Sequence, residues 1–329
     1  MSNVTMDVLI TQYVSDMKLK ELSANTIVGR QRDLVRFWRG LAPDGSALRL
    51  KQITPDKVKL YVATRQSQTQ RYANHPIRRE LAGPLSRQSI ANEVRLLKTF
   101  GNWLEREGYS NPFEELRIPK AARTLIDALS NDEVTRLIES INPATTIGAR
   151  AAAMIWLFLD SGMRVNELVT ARIADLDLAN RRLKVMGKGS KERFVRFGQK
   201  CAKVLTQYIS LHRPDPVKDE CVFLALDGLP LTTNAARRII MRLREEAKLP
   251  RLHPHLFRHT FAVNYVMNGG DIMSLKELLG HESLEMVNRY LHFSQTQIGS
   301  RYESFSPMDK MEVTALRRFG NKRRRKTDD

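Results

Sequence analysis

The stretch from His255 to Tyr290 constrains the fold most, because it places short apolar helical patterns between residues that begin and end helices. Pro254 stands just before it, where a helix can begin without losing a needed N–H group. Gly269-Gly270 predicts the end of that helix, a second short helix is expected to end at Leu279-Gly280-His281, and a third is expected to carry Tyr290. The apolar residues able to pack these helices together are Leu256, Phe257, Phe261, Val263, Val266, Leu275, Leu278 and Leu279.

Four polar side chains stand out in this stretch: His255, Arg258, His281 and Tyr290. The first two are three residues apart, so they share one face of a helix. A guanidinium and imidazoles can donate hydrogen bonds to phosphodiester oxygens, and a phenol can attack phosphorus. Taken singly, each motif has an ordinary explanation, such as a solvated helix face, a helix end or a packed tyrosine. Taken together, this set of side chains suits a phosphodiester.

The joint pattern is H-x-x-R, then Leu-Gly-His with its histidine 23 residues after Arg258, then Tyr290 nine residues later. It resembles the catalytic signature of the tyrosine recombinase/integrase family, most closely its Xer-like bacterial members. That family also has an arginine in a G-x-R-x-x-E-L segment, which Gly162–Leu168 supplies, and a lysine on a β-hairpin, which Met186–Arg193 supplies. The resemblance implies this catalytic set: Arg164, Lys188, His255, Arg258, His281 and Tyr290, with Glu167 orienting Arg164.

The resemblance also implies a role for each group. Tyr290 attacks the scissile phosphorus and forms a 3′-phosphotyrosine, while Arg164 and Arg258 grip the non-bridging oxygens. The sequence has no carboxylate cluster for two metals and no Cys/His zinc spacing, so cationic side chains are expected to hold the transition-state charge and no cofactor is implied.

The remaining groups are assigned to proton transfer and phosphate binding. His255 is the implied general base or proton acceptor, Lys188 protonates the departing 5′-oxygen, and His281 donates to a phosphate oxygen. Lys191 is the nearest alternative to Lys188. The spacing from Arg164 favours Lys188. No P-loop pattern surrounds either lysine, so nothing indicates nucleotide binding.

This chemistry predicts strand exchange without ATP, because a covalent phosphotyrosine retains the energy of the broken bond. By resemblance the reaction passes through a Holliday junction inside a tetramer on two DNA sites. A type IB topoisomerase shares the chemistry, although that class usually has K-x-x-R where this chain has H-x-x-R at His255. A catalytically silent DNA-binding protein of the same fold is the second alternative.

Composition agrees with a globular DNA-binding protein. The chain has 329 residues, 42% hydrophobic and 27% charged, and a net charge of +18. Residues 1–120 carry 20 Lys and Arg against 12 Asp and Glu, and the remainder carries 34 against 24, so both parts suit a polyanion. Binding to an anionic membrane and a merely soluble basic surface are the alternatives.

The cellular compartment is expected to be the cytoplasm, at the DNA. Cys201 and Cys221 form no disulfide framework and are expected to be reduced thiols. No signal peptide opens the chain, and the longest apolar run, Ala151–Leu159, is too short to span a bilayer.

Residues 1–122 are predicted to form a four-helix domain. Val4–Met17 has a helical apolar stripe, and Ser23, Thr54-Pro55 and Ser86 mark the starts of three further helices. Such a domain resembles the family's SAM-like core-binding domain, which clamps DNA opposite the catalytic domain. The segment Gln66–Pro84 is longer than a minimal member needs, and its role stays open.

Residues 123–305 are predicted to form an α+β catalytic domain with a small antiparallel sheet. A capping box at Ser130–Glu133 opens its first helix, Ile147–Ser161 is a buried helix that Gly162 ends, and Arg182–Met186 pairs with Arg193–Phe197 in a hairpin. Further helices are predicted at Gln199–His212 and Thr232–Lys248.

Residues 306–329 are predicted to form a C-terminal extension with a basic tail. Its apolar stripe is expected to dock on a neighbouring protomer, as in the family, or else on its own domain. The expected partners are double-stranded DNA recombination sites, further copies of this chain in a tetramer, and an accessory DNA-bending protein or partner recombinase. The stripe comprises Met308, Met311, Val313, Leu316 and Phe319.

Overall fold

The structure is a computed structural model that describes residues 3–71, 81–120, 127–187, 192–217, 220–280, 283–288 and 290. It divides into two compact units, Met1–Thr124 and Leu125–Asp329. The boundary predicted near residue 122 lies at 121–126, outside the described residues.

The described residues of the first unit form four α-helices, as the sequence predicted. They are α1 (Met6–Leu19), α2 (Ala24–Leu41), α3 (Pro55–Ser67) and α4 (Arg87–Arg106), with a 3₁₀ turn at Leu50–Gln52 and a two-residue hairpin of β1 (Gln70–Arg71) and β2 (Leu81–Ala82). The predicted caps are confirmed: the hydroxyls of Ser23, Thr54 and Ser86 each accept from a backbone N–H in the first turn of their helix. Aromatic rings from all four of these helices and the chain after them meet in its core: Tyr13, Phe37, Tyr61, Phe100, Trp103 and Phe113.

The second unit packs helices around a three-stranded antiparallel sheet. The sheet has the order β3 (Leu176–Asp177), β4 (Arg182–Met186), β5 (Glu192–Arg196), and Leu183 pairs with Val195 in its buried centre. The predicted hairpin is confirmed with its second strand beginning one residue earlier, whereas β3 was not predicted, because two residues are too few for an alternating pattern.

The helices of this unit follow the predicted order. They are α5 (Asn131–Glu139), α6 (Thr146–Ser161), α7 (Val165–Val169), α8 (Gln199–Gln207, continued by a π-helical turn at Tyr208–His212), α9 (Thr233–Glu246), α10 (Pro254–Met267), α11 (Ile272–Leu279) and α12 (Glu285–Asn288). The capping box of Ser130 and Glu133 is present with both bonds. The prediction of a mostly helical chain with a small antiparallel sheet is confirmed.

The prediction that a helix carries Tyr290 is wrong, because the helix ends before that residue. Helix α12 ends at Asn288, and Tyr290 lies in a turn after it, where its N–H donates to the carbonyl of Val287 at 2.8 Å. An i to i−3 bond tightens the chain at that point, as often happens at helix ends. In the described part of the chain, no helix has the length and apolar character that crossing a membrane requires.

Candidate active site

The structure describes five of the seven residues predicted for the site. Arg164, Glu167, His255, Arg258 and Tyr290 all belong to the second unit. Lys188 and His281, together with the alternative Lys191, lie outside the described residues, so their roles stay predictions.

Arg164 is positioned by the end of one helix and the start of the next. Gly162 ends α6 in the left-handed conformation, with φ of 61°, and Arg164 is the N-cap of α7. Its backbone N–H donates to Glu167 Oε2 at 2.7 Å, and its guanidinium donates to Glu167 Oε1 at 3.0 Å. The Arg164 side chain keeps 30% of its surface exposed, so its fork can reach an external anion.

Arg258 is buried, and it bonds to the ends of two helices. One Nη donates to the carbonyl of Gly162 at 2.9 Å and the other to the carbonyl of Leu279 at 2.7 Å. Both carbonyls lie at helix C-termini, where the helix dipole favours a cation. Burial, together with the positive charge of Arg164, lowers the pKa of Arg258 to about 10, so the group remains charged at neutral pH.

Glu167 is buried and ionised between two arginines. Burial by itself would raise the pKa of its carboxyl, but hydrogen bonds and positive charge from Arg193, with smaller effects of Arg164, lower the pKa below 4.5 on balance. Arg193 donates from Nη1 to Glu167 Oε1 at 2.6 Å and from Nη2 to Oε2 at 2.9 Å. Sequence reasoning placed Arg193 in the hairpin and missed this contact, which joins residues 26 apart.

His255 lies in the first turn of α10, surrounded by positive groups. Burial of part of the ring lowers its pKa below 6.5, and His253, Arg258, Arg164 and Arg237 lower it further. A neutral imidazole at neutral pH can accept a proton.

The Tyr290 side chain is buried at 1% exposure in an apolar cluster with Phe261, Leu275 and Leu279. Its hydroxyl lies 2.7 Å from Nδ1 of His259, the residue that follows Arg258. Sequence reasoning named His255 as the base and passed over His259. A signal was present, because the two histidines are four apart and therefore share a face of α10.

The described side chains of the site make a cationic cluster that hydrogen bonds hold to α6, α7 and α11. Three arginines, Arg164, Arg193 and Arg258, surround one carboxylate, that of Glu167, so these four groups carry a formal surplus of two positive charges. Among the described residues, no group of three or more His, Cys, Asp or Glu is placed to hold a metal ion. The cluster can hold an anion whose negative charge is shared by two oxygens, and a phosphodiester fits that description.

Comparisons with known proteins agree with this chemistry. Residues 127–297 match the model of the phage integrase family. The tyrosine recombinase XerC of Lactobacillus leichmannii is 30% identical over 308 residues, covering 90% of this chain and 98% of the relative. The tyrosine recombinase XerD of Staphylococcus saprophyticus is 31% identical over 309 residues, covering 92% and 99%.

Solved structures share the fold. The XerH site-specific recombinase bound to a palindromic difH substrate, in a post-cleavage complex, has a TM-score of 0.66 at 20% identity, covering 87% of this chain and 82% of that one. The Tn1549 transposon integrase in complex with transposon right end DNA has a TM-score of 0.69 at 19% identity, covering 92% and 100%. The chain therefore belongs to the phage integrase family, and it is a tyrosine recombinase.

Proposed function

We propose that this protein is a site-specific DNA recombinase that cuts and rejoins strands through a 3′-phosphotyrosine at Tyr290. The observation that carries the proposal is the anchoring of Arg258 on Gly162 and Leu279, beside an Arg164 that is itself held by Glu167. Two fixed guanidiniums can stabilise the charge that develops on a phosphodiester in the transition state.

In the proposed reaction, the Tyr290 oxygen forms a bond to phosphorus as the bond from phosphorus to the 5′-oxygen breaks. Arg164 and Arg258 donate hydrogen bonds to the non-bridging oxygens, since each Nη group carries two N–H donors. His255 accepts the phenolic proton, Lys188 gives a proton to the 5′-oxygen, and His281 donates to a phosphate oxygen. The 5′-hydroxyl of a second strand then reverses the step and releases Tyr290.

The nucleophile has to move before it reacts. A phenol with 1% of its surface exposed cannot reach a phosphodiester of bound DNA. Its bond to His259 therefore belongs to a resting arrangement, and cleavage begins when the turn after α12 carries Tyr290 out of its apolar cluster.

The proposed partners are double-stranded recombination sites. Both units are basic, which supports electrostatic attraction to the DNA backbone. We include in the proposal that four copies assemble on two sites through the segment after Tyr290, with or without an accessory DNA-bending protein or partner recombinase. Residues 291–329 lie outside the described part. The support for assembly comes from the family and from the apolar stripe at 308–319 in the sequence. Sedimentation on two-site DNA would count the copies.

Recombination is favoured over topoisomerase activity by His255, because type IB topoisomerases usually have lysine at that position of the motif. Relaxation of a plasmid that lacks paired sites would identify a topoisomerase instead. The family membership and the intact set of described residues also argue against a silent DNA-binding protein.

The Tyr290→Phe variant tests the proposal. We expect it to bind DNA as the wild type does but to form no covalent adduct, because it lacks the attacking oxygen while the arginine cluster is unchanged. The measurement is a denaturing gel after incubation with nicked site DNA. Tyr265→Phe, a matched change on α10, should still give the adduct. A shifted band with the Tyr290→Phe protein would exclude Tyr290 as the nucleophile.

A further inference from the structure

Arg193 joins three segments of the candidate active site. It lies at the second position of β5, directly after the hairpin turn, and its backbone pairs with Val185 of β4. Its guanidinium donates to both oxygens of Glu167, at 2.6 Å and 2.9 Å, and its Nε donates to the carbonyl of Leu278 at 3.2 Å. One side chain therefore connects the β4–β5 hairpin, the helix α7 with its N-cap Arg164, and the end of α11.

The end of α11 is shaped to admit this side chain. Gly280 has φ of 62°, and a Cβ atom built on it would come within 2.9 Å of Arg193 Cδ and 3.0 Å of its Nε. A larger residue at 280 would thus press on Arg193 and strain the backbone. The glycine that precedes His281 serves both the helix end and the seating of Arg193.

The bonds around Glu167 show what Arg193 prevents. A carboxylate binds a guanidinium best when both oxygens face two N–H groups of one fork. In the structure Arg193 occupies that bidentate position. The Arg164 guanidinium makes one 3.0 Å bond from Nη1 to Oε1, and its Nη2 donates to the carbonyl of Gly280 at 3.4 Å. If Arg193 were removed, Glu167 could take Arg164 in the bidentate mode, and N–H groups needed by a phosphate would be engaged inside the protein.

We propose that Arg193 is a positioning residue of the recombinase. It saturates Glu167 so that the Arg164 N–H groups not bonded to Glu167 and Gly280 stay available to the phosphodiester, and it ties β5 and the end of α11 to α7. This inference rests on the proposed function. Both Nη groups of Arg193 donate to Glu167 and its Nε donates to Leu278, so it acts on the site through these two partners.

The test compares the rate of adduct formation with the affinity for DNA. Arg193→Gln should lower the single-turnover rate on saturating nicked DNA by about 10- to 100-fold, as small misplacements of reacting groups do, with little change in Kd. Arg193→Lys, which keeps the charge without the fork, should fall between this variant and the wild type. Arg182→Gln is the matched control, because Arg182 lies in the same sheet and pairs with Asp177 at its half-exposed edge.

A double variant separates positioning from simple stability. Once Arg193 is Gln, the harm comes from the Glu167 carboxylate drawing the Arg164 fork towards itself, so Arg193→Gln with Glu167→Gln should cleave at least as fast as Arg193→Gln alone. Rate losses that multiply would overturn the inference, as would a normal rate in Arg193→Gln or a Kd that worsens in proportion to the rate. Thermal unfolding of all the variants without DNA should show non-additive shifts in Tm for the 167 and 193 pair, and additive shifts would also overturn it.

The two proposals fail in different ways. A wild-type protein that forms no adduct, or an adduct that survives Tyr290→Phe, would contradict the recombinase mechanism, and the inference would fall with it. An adduct that requires Tyr290 but does not depend on Arg193 would contradict the inference alone.

Discussion

Single residues in this site owe their protonation states to competition between burial and neighbouring charge. Glu167 is buried, which disfavours its charged form, yet the bonds it accepts from two arginines keep its pKa below 4.5. Arg258 is equally buried, and burial lowers its pKa to about 10, which still leaves it charged. At neutral pH the site therefore keeps its anion and its cations, as binding of a phosphodiester requires.

His255 allows a prediction at this scale. Burial of the ring is the largest cause of its lowered pKa, and His253 is the next. We expect NMR titration of the His255 ring in the free protein to give a pKa below 6.5, and His253→Asn to raise that pKa towards 6.5. A wild-type pKa of 6.5 or more, or no rise in the variant, would contradict the account.

The sign of the linked stability follows from the same shift. Because the folded pKa is lowered, the unfolded chain takes up the proton first as pH falls. The contribution of His255 to stability is thus fully present above pH 6.5 and is lost as pH falls from 6.5 through the folded pKa.

At the scale of elements, helix ends do most of the positioning. Gly162 ends α6, and its carbonyl accepts from Arg258 at 2.9 Å. A Cβ atom at Gly162 would come within 2.4 Å of Phe261, so the close approach of α10 also depends on this glycine. Gly280 ends α11 in the same left-handed conformation. These glycines let two helix C-termini approach the cationic cluster.

Helix caps give a prediction for the first unit. Ser86 Oγ accepts from the N–H of Ser89 at 3.1 Å at the start of α4, whereas Thr5, the N-cap of α1, makes no side-chain cap bond. Ser86→Ala should therefore lower the free energy of unfolding by about 0.5–2 kcal/mol, and Thr5→Ala should cost clearly less. Urea unfolding measures both. Equal losses of unfolding free energy in the two variants would show that the side-chain bond of Ser86 does not stabilise the protein.

For the whole molecule, positive charge is spread over both units. Residues 1–124 carry 21 Lys and Arg against 12 Asp and Glu, and residues 125–329 carry 33 against 24, so each unit has a net charge of +9. Positive charge on one unit alone would be enough to bind a short stretch of DNA. The even distribution favours phosphate contacts by both units along one DNA molecule.

The salt dependence of DNA binding tests this distribution. For about 6–10 phosphate contacts, affinity should fall by roughly 10³–10⁵ between 50 and 200 mM salt. The measurement is fluorescence anisotropy of labelled site DNA with the full chain at several salt concentrations. Arg95 on α4 and Arg238 on α9 are exposed. Replacing either one with Gln should make the slope of log affinity against log salt concentration shallower. A nearly flat slope for the wild type would contradict binding by both units.

The sequence by itself determined the local structure and the chemistry. Caps such as Ser23 and Ser130, and the glycine that ends α6, are recognisable because each bond joins residues within four positions of one another. The spacing of the H-x-x-R, Leu-Gly-His and Tyr motifs identified the family for the same reason, since motifs are read along the chain. Lys188 and His281 lie outside the described residues and stay predictions of that pattern.

The tertiary structure decided which of these residues meet. Arg193 bonds to Leu278, 85 residues away, Arg258 bonds to Gly162, 96 residues away, and Tyr290 bonds to His259. Such partners depend on how α6, α10, α11 and the hairpin pack, and many packings are compatible with the same local signals. Burial has the same origin: an apolar pattern shows that a tyrosine can pack, whereas only the packed neighbours of Tyr290 decide that its side chain is 1% exposed.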